Sequence, residues 1–382
     1  MSATVTAPPA AIDEARNTFR EWLTANQAEL EQFRVTGGDV TEIFDRLRLL
    51  QRMLFDAGWI RLGWSETVGG LGGAPILRSI VSEELAAAGY PPPFSFATQE
   101  VLGPAVAKFA RPELAAVVMP RLLAGDETWC QGFSEPGAGS DLASLRLKAV
   151  EVDEGWRVTG EKVWTSWAQF ADRCVLLART GGPDSAHQGI SAFLLDMDTP
   201  GIQVSPMQSM NGDEEFCSLY FDDALIPRDR LLGDVNGGWA VAMYVLAGER
   251  GAAAWQRQIW LRTRLQDLAG ADGGAVGDDV IGEALELLTS LRVLSRRTVR
   301  ALSDGESIGA TTSLDKLAMS TAEKFLFDAA LSNLGDDVVY GRGAGSVEWR
   351  NDYLYSRASS IYGGAAEIQR NIIAERLLGL PR

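Results

Sequence analysis

Two short segments of the sequence carry groups that could hold a planar ring with polar edges. The first, Phe133–Asp141 (FSEPGAGSD), follows an apolar, strand-like stretch, and its proline and glycines force an irregular turn. Such a turn points backbone N–H groups outward, where an anion or a ring heteroatom can accept them. The second, Gly160–Ser166 (GEKVWTS), adds the flat face of Trp164 and the hydroxyls of Thr165 and Ser166. Together they suit a ring that stacks on tryptophan and accepts hydrogen bonds at its edge.

Two other glycine-rich segments do not predict a phosphate site. Val68–Gly73 and Gly341–Gly345 lie outside any strand–loop–helix unit, and neither leads into the lysine of a phosphate-binding loop. We interpret both as ordinary loops.

The scarcity of histidine excludes several classes of enzyme. His187 is the only histidine, which argues against most zinc sites and leaves any Ser-His-Asp hydrolase dependent on one residue. Because His187 lies in a polar segment between predicted strands, we expect it to be a solvated loop residue. The sequence predicts no metal ligand set.

Composition and charge limit the partners. The 382 residues include 35 Lys+Arg and 51 Asp+Glu, a net charge of −16, which argues against nucleic acid as a partner. No apolar run approaches the ~18 residues of a membrane span, and the N-terminus lacks the pattern of a secretory signal. The three cysteines are widely spaced, as is typical of a reducing compartment. We therefore expect a cytoplasmic globular protein of two or three domains, without a membrane span.

The hydrophobic pattern divides the chain into three zones that must position the two segments. Helical spacing dominates residues 1–126, short alternating strand-like runs dominate residues 127–235, and long helical patterns return over residues 236–382. The last zone predicts helices over 239–268, 280–302, 314–340 and 367–378. This order predicts an α+β protein with a β domain between two helical domains.

These segments, in this order, resemble the flavin-binding motif of the acyl-CoA dehydrogenase family. The resemblance continues through Ala171–Asp172, Gly237–Trp239 and Gly248–Arg250, and it ends with the highly specific segment Ile361–Pro381 (IYGGAAEIQRNIIAERLLGLP). It implies an N-terminal helical domain, a middle β-barrel domain and a C-terminal helical bundle, which agree with the three zones. It also implies FAD as the cofactor and an acyl-CoA as the substrate.

The resemblance assigns roles to individual positions. Ser134 and Ser166 match residues that hydrogen-bond the edge of the flavin ring, and Ser166 lies near its N5 atom. Trp164 matches the tryptophan packed against the ring, and we expect Phe133 and Thr165 among the cofactor-binding residues as well. The cofactor's ribityl and ADP portion would be bound by Ala365, Glu367 and Gln369. Ser140 matches a serine near the pantetheine or phosphate part of the substrate.

The family's reaction requires a base that removes the α-proton of the acyl thioester while flavin N5 accepts a hydride from the β-carbon. One branch of the family carries this glutamate at the position that is Gly363 here. The isovaleryl-type and long-chain-type branches place it before an arginine on a C-terminal helix, where this sequence has Glu249 and Arg250. We therefore expect Glu249 to be the base, with Arg250, Gly363 and Tyr244 around the substrate. An unpaired carboxylate at its usual pKa of about 4.3 is too weak for this work, so its site must be largely dry.

Some positions depart from the family pattern and leave alternatives open. The Arg-x-x-Phe-Gly segment that reaches a neighbouring subunit's FAD pyrophosphate is represented only by Arg262 and Arg264. The chain could therefore form a homodimer or homotetramer, or serve as one subunit of a heteromeric dehydrogenase. An oxidase-like flavoenzyme on the same scaffold is a further alternative. In the dehydrogenase interpretation, an electron-transferring flavoprotein or a similar acceptor takes the electrons. The acyl specificity stays open, with a pocket floor expected around residues 94–102 and on the helix that carries Tyr244.

Overall fold

The N-terminal zone is a layer of helices. The computed structural model of the protein describes residues 9–34, 39–93, 96–270, 276–343 and 345–381. Before the sheet it has α1 (Pro9–Ala25), α2 (Gln27–Leu30), α3 (Val40–Asp56), α4 (Ile76–Ala87), α5 (Phe96–Val101), α6 (Gly103–Phe109) and α7 (Pro112–Ala124). Asp39 and Glu42 form a capping box that starts α3. Gly125, with a φ of 78°, ends α7 in the left-handed conformation that glycine adopts without strain.

The middle zone is one mixed sheet. Its strands are β1 (Trp129–Gly132), β2 (Lys148–Val152), β3 (Gly155–Ser166), β4 (Arg173–Arg179), β5 (Ile190–Asp196), β6 (Ile202–Met207), β7 (Phe216–Pro227) and β8 (Leu231–Leu232). They pair in the order β6-β7-β3-β2-β4-β5-β8, and β1 lies parallel to β4. In the middle domain, which the resemblance describes as a β-barrel, hydrogen bonds join neighbouring strands continuously from β6 to β8.

Strand β4 is buried on both faces of this sheet. Val175 and Leu177 pack into the core shared with the N-terminal helices, whereas Cys174 and Leu176 pack into a second core within the sheet domain. Burial on both faces explains why this strand is a continuous apolar run and does not alternate. The sheet is therefore packed directly against the helices that lie beside the two motif segments.

The C-terminal zone is a helical bundle built around one long helix. Its helices are α8 (Gly238–Gly270), α9 (Asp278–Ser303), α10 (Thr312–Leu334), α11 (Asp336–Tyr340), α12 (Ser346–Ser356) and α13 (Ala366–Ile372). Gly251 allows α8 and α9 to approach closely, since a β-carbon there would lie 2.7 Å from Cγ2 of Thr298. The helices bury Leu261, Leu288 and Phe327 between them.

The structure confirms the α+β class and the helix–sheet–helix order, and it corrects two predicted helices. The helix predicted over 314–340 is interrupted at Gly335, whose φ of 64° and ψ of −146° separate α10 from α11. The helix predicted over 367–378 ends at Ile372 and continues as one π-helical turn, Ile373–Leu377. No helix within the described ranges is both long and apolar enough to cross a membrane.

Candidate active site

A buried ion pair shapes the first motif segment. Glu135 turns inward, where its carboxylate accepts hydrogen bonds from the backbone N–H of Arg146 at 2.6 Å and of Leu147 at 2.9 Å. Lys162, fully buried on β3, donates to the same carboxylate at 2.8 Å and to the carbonyl oxygen of Phe133 at 3.0 Å. The lysine therefore fastens the segment to β3. Sequence reasoning missed this pair, although its members lie inside the two motif segments.

The rest of this segment faces outward. Gly137, Gly139 and Ser140 are exposed, and open space surrounds the two glycines. The backbone N–H groups of Gly137 and Gly139 have no hydrogen-bond partner among the described residues. Ser134 is half-buried, and its carbonyl oxygen accepts from the N–H of Val163 at 2.9 Å, so the segment borders β3 directly. The outward donors that the sequence predicted are therefore present.

A bulge in β3 pushes Trp164 out of the sheet. The register between β3 and β7 shifts between Lys162 and Thr165, and Trp164 has a φ of 59°. A bulky residue with positive φ is strained, and such strain concentrates at functional sites. The indole is 62% exposed, and its ring meets Phe216 edge-on at 5.7 Å. Its face is available to a planar group.

The same bulge separates the two hydroxyls that follow Trp164. Ser166 is exposed, whereas Thr165 is fully buried opposite Cys217 of β7, and its Oγ1 has no hydrogen-bond partner within the described chain. The Thr165 hydroxyl is therefore enclosed by the sheet, whereas the Ser166 hydroxyl lies at the surface. Phe133 is also buried, with 3% exposure, so its side chain belongs to the core.

The remaining groups fit a flavin ring. The exposed indole of Trp164 supplies a stacking face, and the hydroxyl of Ser166 and the N–H groups of Gly137 and Gly139 supply donors for polar ring edges. The donors and the aromatic face come from two segments that the Lys162–Glu135 pair fixes together.

Glu249, the candidate base, lies against the turn at Gly363, which belongs to the closing motif, the segment Ile361–Pro381. Gly363 has a φ of 63°, and a β-carbon there would come within 3.1 Å of Oε1 of Glu249 and 3.8 Å of Nζ of Lys316. Arg250 donates from Nε to the carbonyl oxygen of Gly363 at 2.9 Å, which fixes the turn to α8. The two family positions for the base, far apart in the sequence, therefore meet in space, and only one of them carries a carboxylate.

The surroundings of Glu249 alter its acidity. Burial raises the pKa of Glu249, and the charges of Lys316 and Arg250 together with a contact from Gln131 of β1 oppose the rise. Oε2 is shielded from solvent and accepts no hydrogen bond from the described residues. A carboxylate with a raised pKa and a free lone pair is a better proton acceptor than one at the surface.

Lys316 was missed by sequence reasoning, yet it lies beside this carboxylate. Its buried Nζ donates to the carbonyl oxygen of Ser359 at 2.5 Å and lies 4.0 Å from the centre of the Tyr362 ring. Burial lowers the pKa of Lys316 to about 8, with Glu249 and Glu323 opposing the change. The lysine thus contacts the segment that holds Gly363 and supplies positive charge near Glu249. Nothing in its helical sequence pattern distinguished it from a surface lysine.

The other predicted cofactor residues lie around the end of the chain. Ala365 precedes α13, Glu367 is exposed, and Gln369 is buried with Nε2 donating to the carbonyl oxygen of Gly364 at 3.1 Å. Gln369 still has one buried oxygen, Oε1, without a partner in the described ranges. Its amide therefore braces the glycine turn and retains one acceptor.

The two arginines predicted to reach a neighbouring FAD differ. Arg264 is 2.9 Å from the carboxylate of Asp352 and 3.7 Å from the centre of the Trp349 ring, so its own chain already occupies it. Its NH2 nitrogen is shielded from solvent and has no hydrogen-bond partner among the described residues. Arg262 is half-exposed on the same helix.

Tyr244 and the lone histidine lie away from the carboxylate. Tyr244 meets the Phe109 ring edge-on at 5.6 Å, and Nζ of Lys108 lies 4.3 Å from its ring centre. It precedes Glu249 by five residues on α8, which turns the two side chains about 140° apart around the axis. His187 is exposed, as expected, with its ring near Trp239. No group of His, Cys, Asp and Glu in the described parts of the chain is suited to hold a metal ion.

The chain belongs to the acyl-CoA dehydrogenase family, which confirms the resemblance, and it is an FAD-dependent oxidoreductase. Residues 10–126 match the family's N-terminal domain, residues 130–224 its middle domain and residues 274–378 its C-terminal domain.

Relatives cover almost the whole chain. Acyl-CoA dehydrogenase IpdE1 of Mycobacterium tuberculosis is 37% identical over 379 residues, which are 97% of this chain and 98% of that protein. Acyl-CoA dehydrogenase FadE34 of the same organism is 37% identical over 87% of this chain, but the match spans 46% of its own length. Among solved structures, the Tcur3481–Tcur3483 steroid ACAD has a TM-score of 0.81 at 27% identity and covers 99% of this chain and 100% of that chain. The ChsE4–ChsE5 complex from Mycobacterium tuberculosis has a TM-score of 0.80 at 25% identity and covers 99% of each chain.

Proposed function

We propose that the protein dehydrogenates an acyl-CoA thioester to the 2-enoyl-CoA, with Glu249 as the base that removes the α-proton. The observation that carries this proposal is the meeting of Glu249 Oε1 with the space above Gly363, 3.1 Å from where a β-carbon would lie. A glutamate on α8 thereby reaches the place that a side chain at position 363 would otherwise enter.

The chain's own residues prepare this proton transfer. Burial makes Glu249 a stronger base, while Lys316 and Arg250 keep enough positive charge nearby for its ionised form to exist. Arg250 holds the Gly363 turn against α8, so the carboxylate and the turn keep a fixed separation. Trp164, Ser166 and the outward N–H groups of the first motif segment would hold the FAD ring. When bound, FAD supplies the acceptor for the hydride that leaves the β-carbon.

The relatives support a coarse statement about the substrate and the partners. One structural relative is the Tcur3481–Tcur3483 steroid ACAD, and another is the ChsE4–ChsE5 complex. Both are heteromeric. We propose that this protein acts in lipid or steroid breakdown, in a homo-oligomer or beside a related chain, and passes electrons to a flavoprotein acceptor.

The test is anaerobic flavin reduction by a panel of acyl-CoAs. We expect Glu249→Gln to retain the flavin colour and to slow flavin reduction by at least about a hundredfold, since a general base contributes roughly 10²–10⁴. Glu286→Gln, which removes the same charge from an exposed site on α9, serves as the control. Reduction of the Glu249→Gln protein at the wild-type rate would remove Glu249 from the mechanism.

The second candidate is a subunit that completes a flavin site without catalysing the reaction itself. The incomplete Arg-x-x-Phe-Gly segment favours it, because copies of this chain alone then lack part of the cross-subunit half of the FAD site, which a related chain would have to supply. Purification of the chain alone separates the two: a stable, colourless oligomer supports the subunit role. Rapid reoxidation of the reduced flavin by oxygen would instead identify an oxidase.

A further inference from the structure

A small cavity lies one to two helical turns beyond Glu249. It has a volume of about 20 Å³, room for about one water-sized group, between α4, α5, α8 and α9, with Ala252 and Gln256 of α8 in its wall. Glu249, Ala252 and Gln256 are spaced three and four residues apart, so they lie within about 60° of one another around the helix. Gln256 is about 10 Å from Glu249 along the axis. The cavity and the candidate base therefore share one face of α8.

Helix α5 joins the two places. A β-carbon on Gly248, the residue before Glu249, would lie 3.5 Å from the carbonyl oxygen of Glu100, and the Glu100 side chain lines the cavity. An acyl chain whose thioester end lies at Glu249 and which follows this face of α8 would bring a small group on its far part to the cavity.

The cavity wall holds polar atoms that the protein leaves unsatisfied. Oγ of Ser82, Nε1 of Trp255 and Nε2 of Gln256 are shielded from solvent and have no hydrogen-bond partner among the described residues. Trp255 is itself 5% exposed. A buried donor without a partner is costly, so such groups normally meet water or a ligand. Two of the three atoms can only donate, and the hydroxyl can do so as well.

The charge in the wall is already balanced. Arg78 donates from Nε to Glu100 at 2.7 Å and from NH1 to the carbonyl oxygen of Gly63 at 2.6 Å. Its guanidinium also lies 4.3 Å from the centre of the Trp64 ring. Because this cation has its partners, the cavity presents neutral donors and does not offer an unpaired charge to a carboxylate.

We propose that this cavity binds a neutral oxygen, a keto or hydroxyl group, carried on the far part of the acyl group. The proposal rests on the dehydrogenation proposed above and narrows its substrate class from acyl-CoAs in general to oxygenated ones. Gln256 and Ser82 act as specificity-determining residues, because a site built to hydrogen-bond an oxygen discriminates against the analogue that lacks it.

The experiment compares three acyl-CoA series of matched chain length: unsubstituted, keto-substituted at successive positions, and ending in a carboxylate. Two quantities are measured: the efficiency of anaerobic flavin reduction by the wild-type protein, and the affinity of each ligand for the Glu249→Gln protein, which binds without turnover. We expect a keto group at one position to raise both by about tenfold over the unsubstituted chain, the value of one or two buried hydrogen bonds.

Gln256→Leu and Ser82→Ala should each remove most of this preference, measured within each variant as the ratio of the keto-substituted to the unsubstituted chain. Gln258→Leu is the matched control, since Gln258 is also buried on α8 with an unpartnered amide oxygen but does not line the cavity. Equal effects of the two leucine variants, a preference for the carboxylate, or no preference at any position would overturn the proposal and leave water as the occupant. If keto ligands bind more tightly yet no acyl-CoA reduces the flavin, the cavity assignment stands and dehydrogenation fails. Flavin reduction without any preference among the series would instead support dehydrogenation and overturn the cavity assignment.

Discussion

We expect the buried pair of Lys162 and Glu135 to matter more for the conformation of the first motif segment, Phe133–Asp141, than for the overall stability of the protein. Burial lowers the pKa of Lys162 from 10.5 to about 8, even with Glu135 opposing the shift. A shift of about 2.5 pKa units corresponds to roughly 3 kcal/mol by which the fold disfavours the charged lysine. The attraction to Glu135 therefore does not repay the cost of removing the ammonium from water.

Substituting one partner should nevertheless be costly. In Lys162→Met, Glu135 keeps its two backbone donors but loses its counter-charge, so we expect a loss of about 3 kcal/mol, near the lower end for a broken buried pair. In Glu135→Gln, the lysine keeps neutral acceptors, the carbonyl oxygen of Phe133 and an amide oxygen, but loses its counter-charge. The double variant removes both charges and should lie within about 1 kcal/mol of the wild type, because replacing a buried pair by neutral groups is often harmless.

The assay is denaturant unfolding of the apo-protein, followed for each variant by the dissociation constant of FAD. The double variant should be stable and yet bind FAD at least about tenfold more weakly, since the charged link from Lys162 to Phe133 and Glu135 is gone. Between pH 8 and 10.5, Lys162 is neutral in the folded protein but protonated in the unfolded chain. The free energy of unfolding of the wild type therefore has a contribution that increases with pH in this range, and Lys162→Met lacks it. Additive losses in the double variant, or unchanged FAD affinity, would refute this reasoning.

Three further substitutions test the site and its support. Gly363→Ala should cost about 1–2 kcal/mol for the left-handed φ and should slow flavin reduction by displacing the Glu249 carboxylate; unchanged reduction kinetics would contradict the contact. Lys316→Met should move the pH profile of reduction to higher pH, since loss of the cation raises the pKa of Glu249, whereas Lys316→Arg should leave the profile in place. Burial raises the pKa of Asp315 to about 6, so the protein loses stability as the pH rises from 3.8 to 6. Asp315→Asn should therefore stabilise the protein at pH 8 by up to about 3 kcal/mol, and by much less at pH 4, in thermal or denaturant unfolding.

The sequence predicted the zones of the fold because hydrophobic periodicity reports local burial. It failed where a local irregularity decides direction. The sequence pattern does not reveal the bulge in β3, which shifts the register after Lys162, exposes Trp164 and leaves Thr165 buried. Likewise, the break at Gly335 lies within an otherwise helical pattern.

The sequence could not reveal the electrostatic support of the site, because those contacts join distant segments. Lys316 touches Ser359 and Tyr362 only after α10 packs against the closing motif. Likewise, the contacts of Arg264 with Asp352 and Trp349 form only when α12 packs against α8. Such contacts depend on tertiary packing, which a one-dimensional pattern does not encode.

The glycine at position 363 follows from the position of the glutamate and is not a sign of a degraded motif. A β-carbon at this residue would already press on Oε1 of Glu249 at 3.1 Å, and a longer side chain would have to enter the space between Glu249 and Lys316. Two carboxylates in that space would repel each other and raise each other's pKa, so one would be protonated and idle near neutral pH. With its carboxylate on a 33-residue helix, this chain gains a base on a rigid element and needs a small residue at the turn. Exchanging the two positions, Glu249→Gly with Gly363→Glu, tests this complementarity. Flavin reduction should recover above the level of Glu249→Gly alone, and no recovery in a folded, flavin-bound protein would show that the two positions are not equivalent.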